Sequence, residues 1–183
     1  MAFRTIGSIE LNSIAMGMQT ADEMVKAAQV ELFVARPTCP GRYLIMVAGD
    51  TGSVKSSVAT GRETGGGAVI DWFVIPSVHE SVLPALSCST LVPVIDALGV
   101  IETSTTVSSI LAADAAAKAG MVTLIEIRSA AGMGGKAFVT MTGDVGSVEA
   151  SVRAGVEGVA DSGPVLSHVV IPSPSEELKS RLL

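Results

Sequence analysis

A run of residues in the first half of this chain returns in the second half, in the same order and nearly the same spacing. Ile6-Gly7-Ser8-Ile9-Glu10 comes back as Leu98-Gly99-Val100-Ile101-Glu102, and Ala21-Asp22 with Lys26-Ala27 as Ala113-Asp114 with Lys118-Ala119, both at an offset of 92. Gly49-Asp50-Thr51-Gly52-Ser53-Val54 recurs as Gly143-Asp144-Val145-Gly146-Ser147-Val148 at an offset of 94, and Ile75-Pro76-Ser77 as Ile171-Pro172-Ser173 at 96. Such a chain holds two copies of one domain of roughly 90 residues, each large enough to fold around its own core. We divide it at 1–90 and 91–183. The growing offset places two short insertions in the second copy. The first lies where one copy carries Thr38-Cys39-Pro40 before Gly41 and the other Ala131-Gly132-Met133-Gly134. A chemical difference between the copies belongs in that loop.

The order of elements follows from apolar spacing and turn residues. Residues 5 to 11 suit a short strand, and Ser13 suits the N-cap of a helix whose apolar positions Ile14, Met18, Ala21, Met24, Val25 and Ala28 keep helical spacing. Val30 to Arg36 and Tyr43 to Ala48 read as a hairpin across Pro37-Thr38-Cys39-Pro40-Gly41, because Pro and Gly set turns and interrupt a ladder. Ser53 to Thr64 suits a second helix and Val69 to Ile75 a strand that Pro76 ends, with a short helical segment from His79 to Leu86. The order is β-α-β-β-α-β, an α/β chain of the α+β, ferredoxin-like kind, repeated from Gly99 to about Leu178 after a linker of residues 87 to 97.

Composition limits the partners. Hydrophobic residues make up 48% and charged residues only 16%, so much apolar surface must be covered. No stretch approaches the length of a membrane span, and Met1 to Thr5 leads into a strand pattern without a signal-peptide core, so we expect oligomerisation in the cytoplasm and no membrane. A net charge of −6 and 3% aromatic residues leave little to neutralise phosphates or stack bases, which excludes nucleic acid. Two cysteines at unrelated positions make no disulfide framework.

Gly-x-Ile-Glu before a helix with Ala-Asp-x-x-x-Lys-Ala, a glycine-bearing hairpin, Gly-Asp-x-Gly-x-Val and a late Ile-Pro together resemble the bacterial microcompartment (BMC) shell domain. Two in one chain resemble the tandem-domain shell proteins, over nearly the whole length. The resemblance implies a non-enzymatic tile in a microcompartment shell in the cytoplasm, a homotrimer imitating a hexamer and packing beside other shell proteins of the family. It implies that Thr38, Cys39, Pro40 and Gly41 of one copy and Ala131, Gly132, Met133 and Gly134 of the other line a central pore. It also implies that Lys26 and Lys118 lie at the tile edge, although Ser77 and Ser173 stand where the family usually has an edge arginine.

The Thr38-Cys39-Pro40-Gly41 loop is similar to that of the propanediol-utilisation type of tandem shell protein, in which the matching cysteine holds an iron–sulfur cluster on the trimer axis. By that resemblance, Cys39 from three subunits would hold one [4Fe-4S] cluster per trimer, for electron transfer across the shell to a redox enzyme inside or outside it, or for cluster exchange. A cyclic trimer does present three equivalent thiolates at one point. The alternative is the same tile with a metal-free pore passing small polar metabolites.

Other readings carry less. A lone cysteine is most often an inert buried thiol, but Cys39 lies between two prolines in the one loop that differs between the copies. Cys88, between Ser87 and Ser89, is a structural or exposed thiol outside the site. Gly132-Met133-Gly134-Gly135-Lys136 superficially resembles a phosphate cradle, yet it leads into a strand pattern, where such cradles lead into a helix. His79 and His168 show no metal-ligand spacing and read as structural. Glu10 and Glu102 correspond by the repeat, so we expect one shared architectural role. A small-molecule sensor would need charged ligand-binding loops, and a thiol enzyme a base beside Cys39, but Arg36 to Tyr43 contains neither His nor carboxylate.

Overall fold

The computed structural model describes residues 5–92, 94–129, 132–160 and 163–182. The first copy runs β1 (Thr5–Leu11), α1 (Ile14–Ala27), β2 (Glu31–Thr38), β3 (Arg42–Gly49), α2 (Thr51–Gly65), a 3-10 turn (Gly66–Ala68), β4 (Val69–Pro76) and α3 (Val82–Leu86). The second runs β5 (Ala97–Thr103), α4 (Thr106–Ala119), β6 (Thr123–Arg128), β7 (Ala137–Gly143), α5 (Val145–Glu157), β8 (Val165–Ile171) and α6 (Glu176–Lys179). Each copy forms a four-stranded antiparallel sheet, β2-β3-β1-β4 in one and β6-β7-β5-β8 in the other. The expected β-α-β-β-α-β order therefore stands in both.

The repeated motifs have local physical reasons. Ser13 Oγ accepts the Met16 amide at 3.3 Å and so caps α1. Asp50 and Asp144 each accept a serine amide three residues on, Ser53 and Ser147, at 3.0 Å, and each serine hydroxyl returns to the other carboxylate oxygen at 2.5 Å. These bonds favour the ionised carboxylate and hold both aspartates below their ordinary pKa. They also start α2 at Thr51, two residues before the expected Ser53, because Asp50 already serves the first turn. Val54 and Val148, the last residues of that motif, are fully buried.

Gly7 and Gly99 are small for packing reasons. A Cβ at Gly7 would lie 2.5 Å from Val58 Cγ2, and one at Gly99 2.8 Å from Val148 Cγ1, so α2 and α5 lie directly on β1 and β5. Ile9, Leu11, Met24, Ile45, Val47 and Val58 close the first core beneath them. The hairpin is tighter than its prolines suggested: β2 continues through Pro37 to Thr38, and Cys39-Pro40-Gly41 alone make the turn. Pro37 is tolerated because β2 is an edge strand with an unpaired side.

The chain gathers into two compact units whose membership crosses the repeat. One comprises Met1–Val78 with Thr105–Val107 and Ala130–Gly135, the other His79–Ser104, Ser108–Ser129 and Lys136–Leu183. The first unit thus includes the opening turn of α4 and the loop before β7. Among the described residues, no helix is long and apolar enough to cross a membrane.

Candidate metal centre

Cys39 stands at the tip of the β2–β3 hairpin with an exposed thiol. The turn closes by a bond from the Gly41 amide to the Thr38 carbonyl at 3.1 Å, with Gly41 at φ +87° and a cis bond between Cys39 and Pro40. Within the same unit the Gly132 amide donates to Cys39 Sγ at 3.4 Å, although 93 residues separate the two in sequence. Gly135 lies at φ +93°, and a Cβ there would sit 3.1 Å from Pro40 Cδ and 3.0 Å from Arg42 Cζ. A side chain there would have to push the Arg42 guanidinium or the Pro40 ring aside by a few tenths of an ångström, and the positive φ favours glycine.

Of the residues expected at the pore, Cys39, Pro40 and Gly41 are exposed at the hairpin tip, and Thr38 is half-buried at the end of β2. Gly132 and Gly134 are exposed and Met133 half-buried in the facing turn; Ala131 lies outside the described residues. The two divergent loops therefore lie side by side.

Arg42, the first residue of β3, anchors this arrangement. It donates from Nη1 to the Gly135 carbonyl at 3.3 Å and to Glu10 Oε1 at 3.0 Å. Glu10 is fully buried, and its other oxygen accepts the amides of Thr106 at 2.8 Å and Val107 at 3.4 Å, at the N-terminus of α4. Burial pushes the Glu10 carboxyl above its ordinary pKa; the bond and charge of Arg42, and then the two amides, oppose that rise. Sequence reasoning missed this carboxylate–helix junction. Glu102 and Lys136, equivalent to Glu10 and Arg42 by the repeat, are paired at 2.8 Å, but Glu102 keeps 32% of its side chain exposed. Each glutamate has its own cationic partner, Arg42 for Glu10 and Lys136 for Glu102, and Glu10 in addition accepts two helix amides. The expectation of one shared role holds only for the ion pair.

Lys26 and Lys118 each lie in the last turn of a helix, and each pairs with the aspartate four residues earlier, Asp22 and, at 2.6 Å, Asp114. Both side chains are substantially exposed, at 63% and 41%. The carboxylate beside Lys26 raises its pKa above the ordinary lysine value. His79 donates its backbone amide to Asp114 at 2.8 Å, and its ring bonds Ser81 Oγ at 2.8 Å. His168 is exposed on β8.

The BMC domain pattern matches this chain twice, at residues 5–78 and 97–174. The chain is 41% identical over 175 residues to the bacterial microcompartment shell protein PduT of Citrobacter freundii, covering 96% of this chain and 95% of that one. It belongs to the bacterial microcompartment shell proteins. A solved microcompartment protein from Desulfitobacterium hafniense superposes with a TM-score of 0.85 at 51% identity, over 98% of this chain and 99% of the other. The fused permuted hexameric shell protein MSM0275 shares the fold at a TM-score of 0.64 and 19% identity, over 85% and 80% of the chains. The chain is thus a PduT-like structural shell protein with two BMC domains, and its place is the microcompartment shell.

In this shell protein the donor chemistry of the Cys39 loop fits one corner of a metal site. The thiol faces solvent, and an amide N–H is already aimed at the sulfur, the kind of outer bond that orients thiolate ligands and tunes clusters. Among the described residues no group of three His, Cys, Asp or Glu is placed to hold a metal, so a metal at Cys39 would need ligands beyond those beside it here. Further ligands would come from other copies. Cys88 is exposed in the other unit, at φ +52°, and is no part of this loop.

Proposed function

We propose that this chain is a homotrimeric shell tile, built from domains 1–90 and 91–183, that holds a [4Fe-4S] cluster at its pore through Cys39 of three subunits. The observation that carries this reading is the exposed thiol at the hairpin tip with the Gly132 amide donating to it. The pore would be lined by Thr38, Pro40 and Gly41 with Ala131, Gly132, Met133 and Gly134. A cluster bound there supplies one-electron transfer, either across the shell to a redox enzyme or ahead of cluster exchange. The residues of the chain do the positioning: Arg42 ties the hairpin base to Gly135 and Glu10, and the Gly132 amide holds the sulfur. Lys26 and Lys118 would form the tile edge against neighbouring shell proteins.

Because thiols must lose protons to bind iron, ligand ionisation and metal uptake are one coupled event. Acidification should therefore release iron before the trimer dissociates. Titration of the reconstituted protein from pH 8 to 5, following visible absorbance and light scattering together, tests this order. Loss of oligomer ahead of colour would contradict it, and a protein that stays colourless after anaerobic reconstitution would favour the metal-free pore.

A further inference from the structure

One cavity lies apart from the hairpin loops and has a thiol at its rim. It measures about 330 Å³ and lies wholly within the second compact unit, where residues 88–92 pass β6 and the last residues of the chain. Its floor is apolar, because Val92, Ile125 and Leu182 share one hydrophobic cluster. Its rim is cationic: Arg128 and Arg181 stand there against a single carboxylate, Glu126. An apolar floor beneath a few polar groups is the usual make-up of a small-molecule site.

Backbone bonds hold the thiol at this rim. The Cys88 amide donates to the Ala85 carbonyl at 3.3 Å and the Ser89 amide to the Pro84 carbonyl at 2.9 Å, closing the turn after α3 with Cys88 exposed. The bond to Glu126 and that carboxylate's charge raise the Arg128 pKa; burial opposes the rise and the charge of Cys88 adds to it, so guanidinium and sulfur act on one another. Glu126 accepts from Arg128 Nε at 2.9 Å and Nη2 at 2.5 Å, which leaves other N–H groups of the fork for an acceptor in the cavity. Among the described residues the Arg181 guanidinium has no hydrogen-bonded or ionic partner. Thr90 also lines the cavity; its hydroxyl oxygen is closed to solvent and, among the described residues, has no hydrogen-bond partner. Buried polar atoms are nearly always paired, so this one suits a polar atom of an entering ligand.

We propose that this cavity is a thiol-modification site that takes a small disulfide bearing carboxylates, which Arg128 and Arg181 hold while Cys88 exchanges with it. Guanidinium forks match carboxylates, and the apolar floor receives the ligand's carbon chain. In the exchange the Cys88 thiolate attacks one sulfur of the disulfide, whose S–S bond breaks as the new one to Cys88 forms. The other half leaves as a thiolate and takes up the proton that Cys88 gave up. Cys88 is oxidised, and the departing half is reduced. The two cations also stabilise the negative charge on the leaving sulfur. This site does not involve Cys39 and goes beyond the shell-tile reading.

The test uses the full chain with Cys39→Ser, in which Cys88 is the remaining cysteine. Glutathione disulfide, which is anionic, and cystamine, which is cationic, are the probes, and intact mass spectrometry follows formation of the mixed disulfide. A peptide of residues 84–92 gives the intrinsic rate with each probe. Relative to the peptide, the protein should prefer the anionic probe by about tenfold or more at low salt, and the preference should shrink in about 0.5 M salt. Arg181→Met, a change at an exposed side chain, should cut that preference roughly threefold or more with an unchanged circular dichroism spectrum. Arg128→Met, which also leaves Glu126 without its cation, should cut it further. Equal preference in protein and peptide, or a preference that both arginine variants keep, would overturn the proposal. The readout does not involve iron, so its failure would leave the cluster reading intact.

Discussion

The Cys39 sulfur accepts the backbone amide of Gly132 at 3.4 Å, so the one chemically distinctive residue of the first copy is held by the loop that replaces it in the second. Gly132 donates from a left-handed backbone at φ +74°. An L-residue there costs about 1–2 kcal/mol, which biases the loop away from the backbone that aims this amide at the sulfur. Since hydrogen bonds to the sulfurs help set a cluster's potential, Gly132→Ala should make the potential of the reconstituted protein more negative while leaving the oligomer intact. Protein-film voltammetry checks this; an unchanged potential would mean that the amide does not act on the metal ligand.

Glu10 and Arg42 predict a pH dependence whose sign is fixed by burial. The folded Glu10 carboxyl binds its proton more readily than in the unfolded chain. The stability linked to it is fully present below the ordinary glutamate pKa and is lost as pH rises through the raised folded value. Arg42→Met removes the strongest opposing influence, so the Glu10 midpoint should rise further, as read by carbon-detected NMR of its carboxyl group. The variant should lose roughly 3 kcal/mol at pH 7, the low end for leaving a buried charge unpaired, and less as the pH is lowered. A Glu10 midpoint that falls would contradict this account.

Gly17 predicts a packing penalty. A Cβ there would lie 2.4 Å from both Cβ and Cγ of Tyr43, atoms next to the β3 backbone with little freedom to move. Gly17→Ala should destabilise by about 1–3 kcal/mol in urea denaturation, as overpacking of a filled site does. Gly67→Ala, at a position with nothing within 4 Å of the added carbon, serves as the control and should change little.

The fold was legible mainly because the chain repeats. A strand run at Val69 to Ile75 could have been solitary, but its return at Val165 to Ile171 made the second copy a check on the first. Boundaries slipped where a single side chain outweighed pattern, as when Asp50 began α2 two residues early, or where an edge position let Pro37 stay in a strand. The Cys39 loop could be singled out by its divergence, whereas its contact with Gly132 left no trace in residue spacing. The Glu10 junction was hidden by the same repeat that revealed the fold. Equivalence suggested identical roles for Glu10 and Glu102, and environment, which a sequence does not display, separates them.

Lys26 and Lys118, proposed for the tile edge, give a prediction about assembly without a change in folding. Lys26 and Lys118 pair with aspartates on their own helices and are 63% and 41% exposed, and pairs of this kind contribute little to stability. Changing both to Ala should leave the thermal midpoint nearly unchanged and the proposed trimer intact, while abolishing extended sheets in electron micrographs. Sheets that persist would return these lysines to the ordinary surface.

The most direct measurement is iron and sulfide analysis after anaerobic reconstitution of the wild type, Cys39→Ser and Cys88→Ser. Three Cys39 thiolates around one cluster predict a brown wild type with about four irons per trimer, the same in Cys88→Ser, and a colourless Cys39→Ser that remains trimeric. Full iron and an unchanged spectrum in Cys39→Ser would contradict the assignment of Cys39 as the ligand.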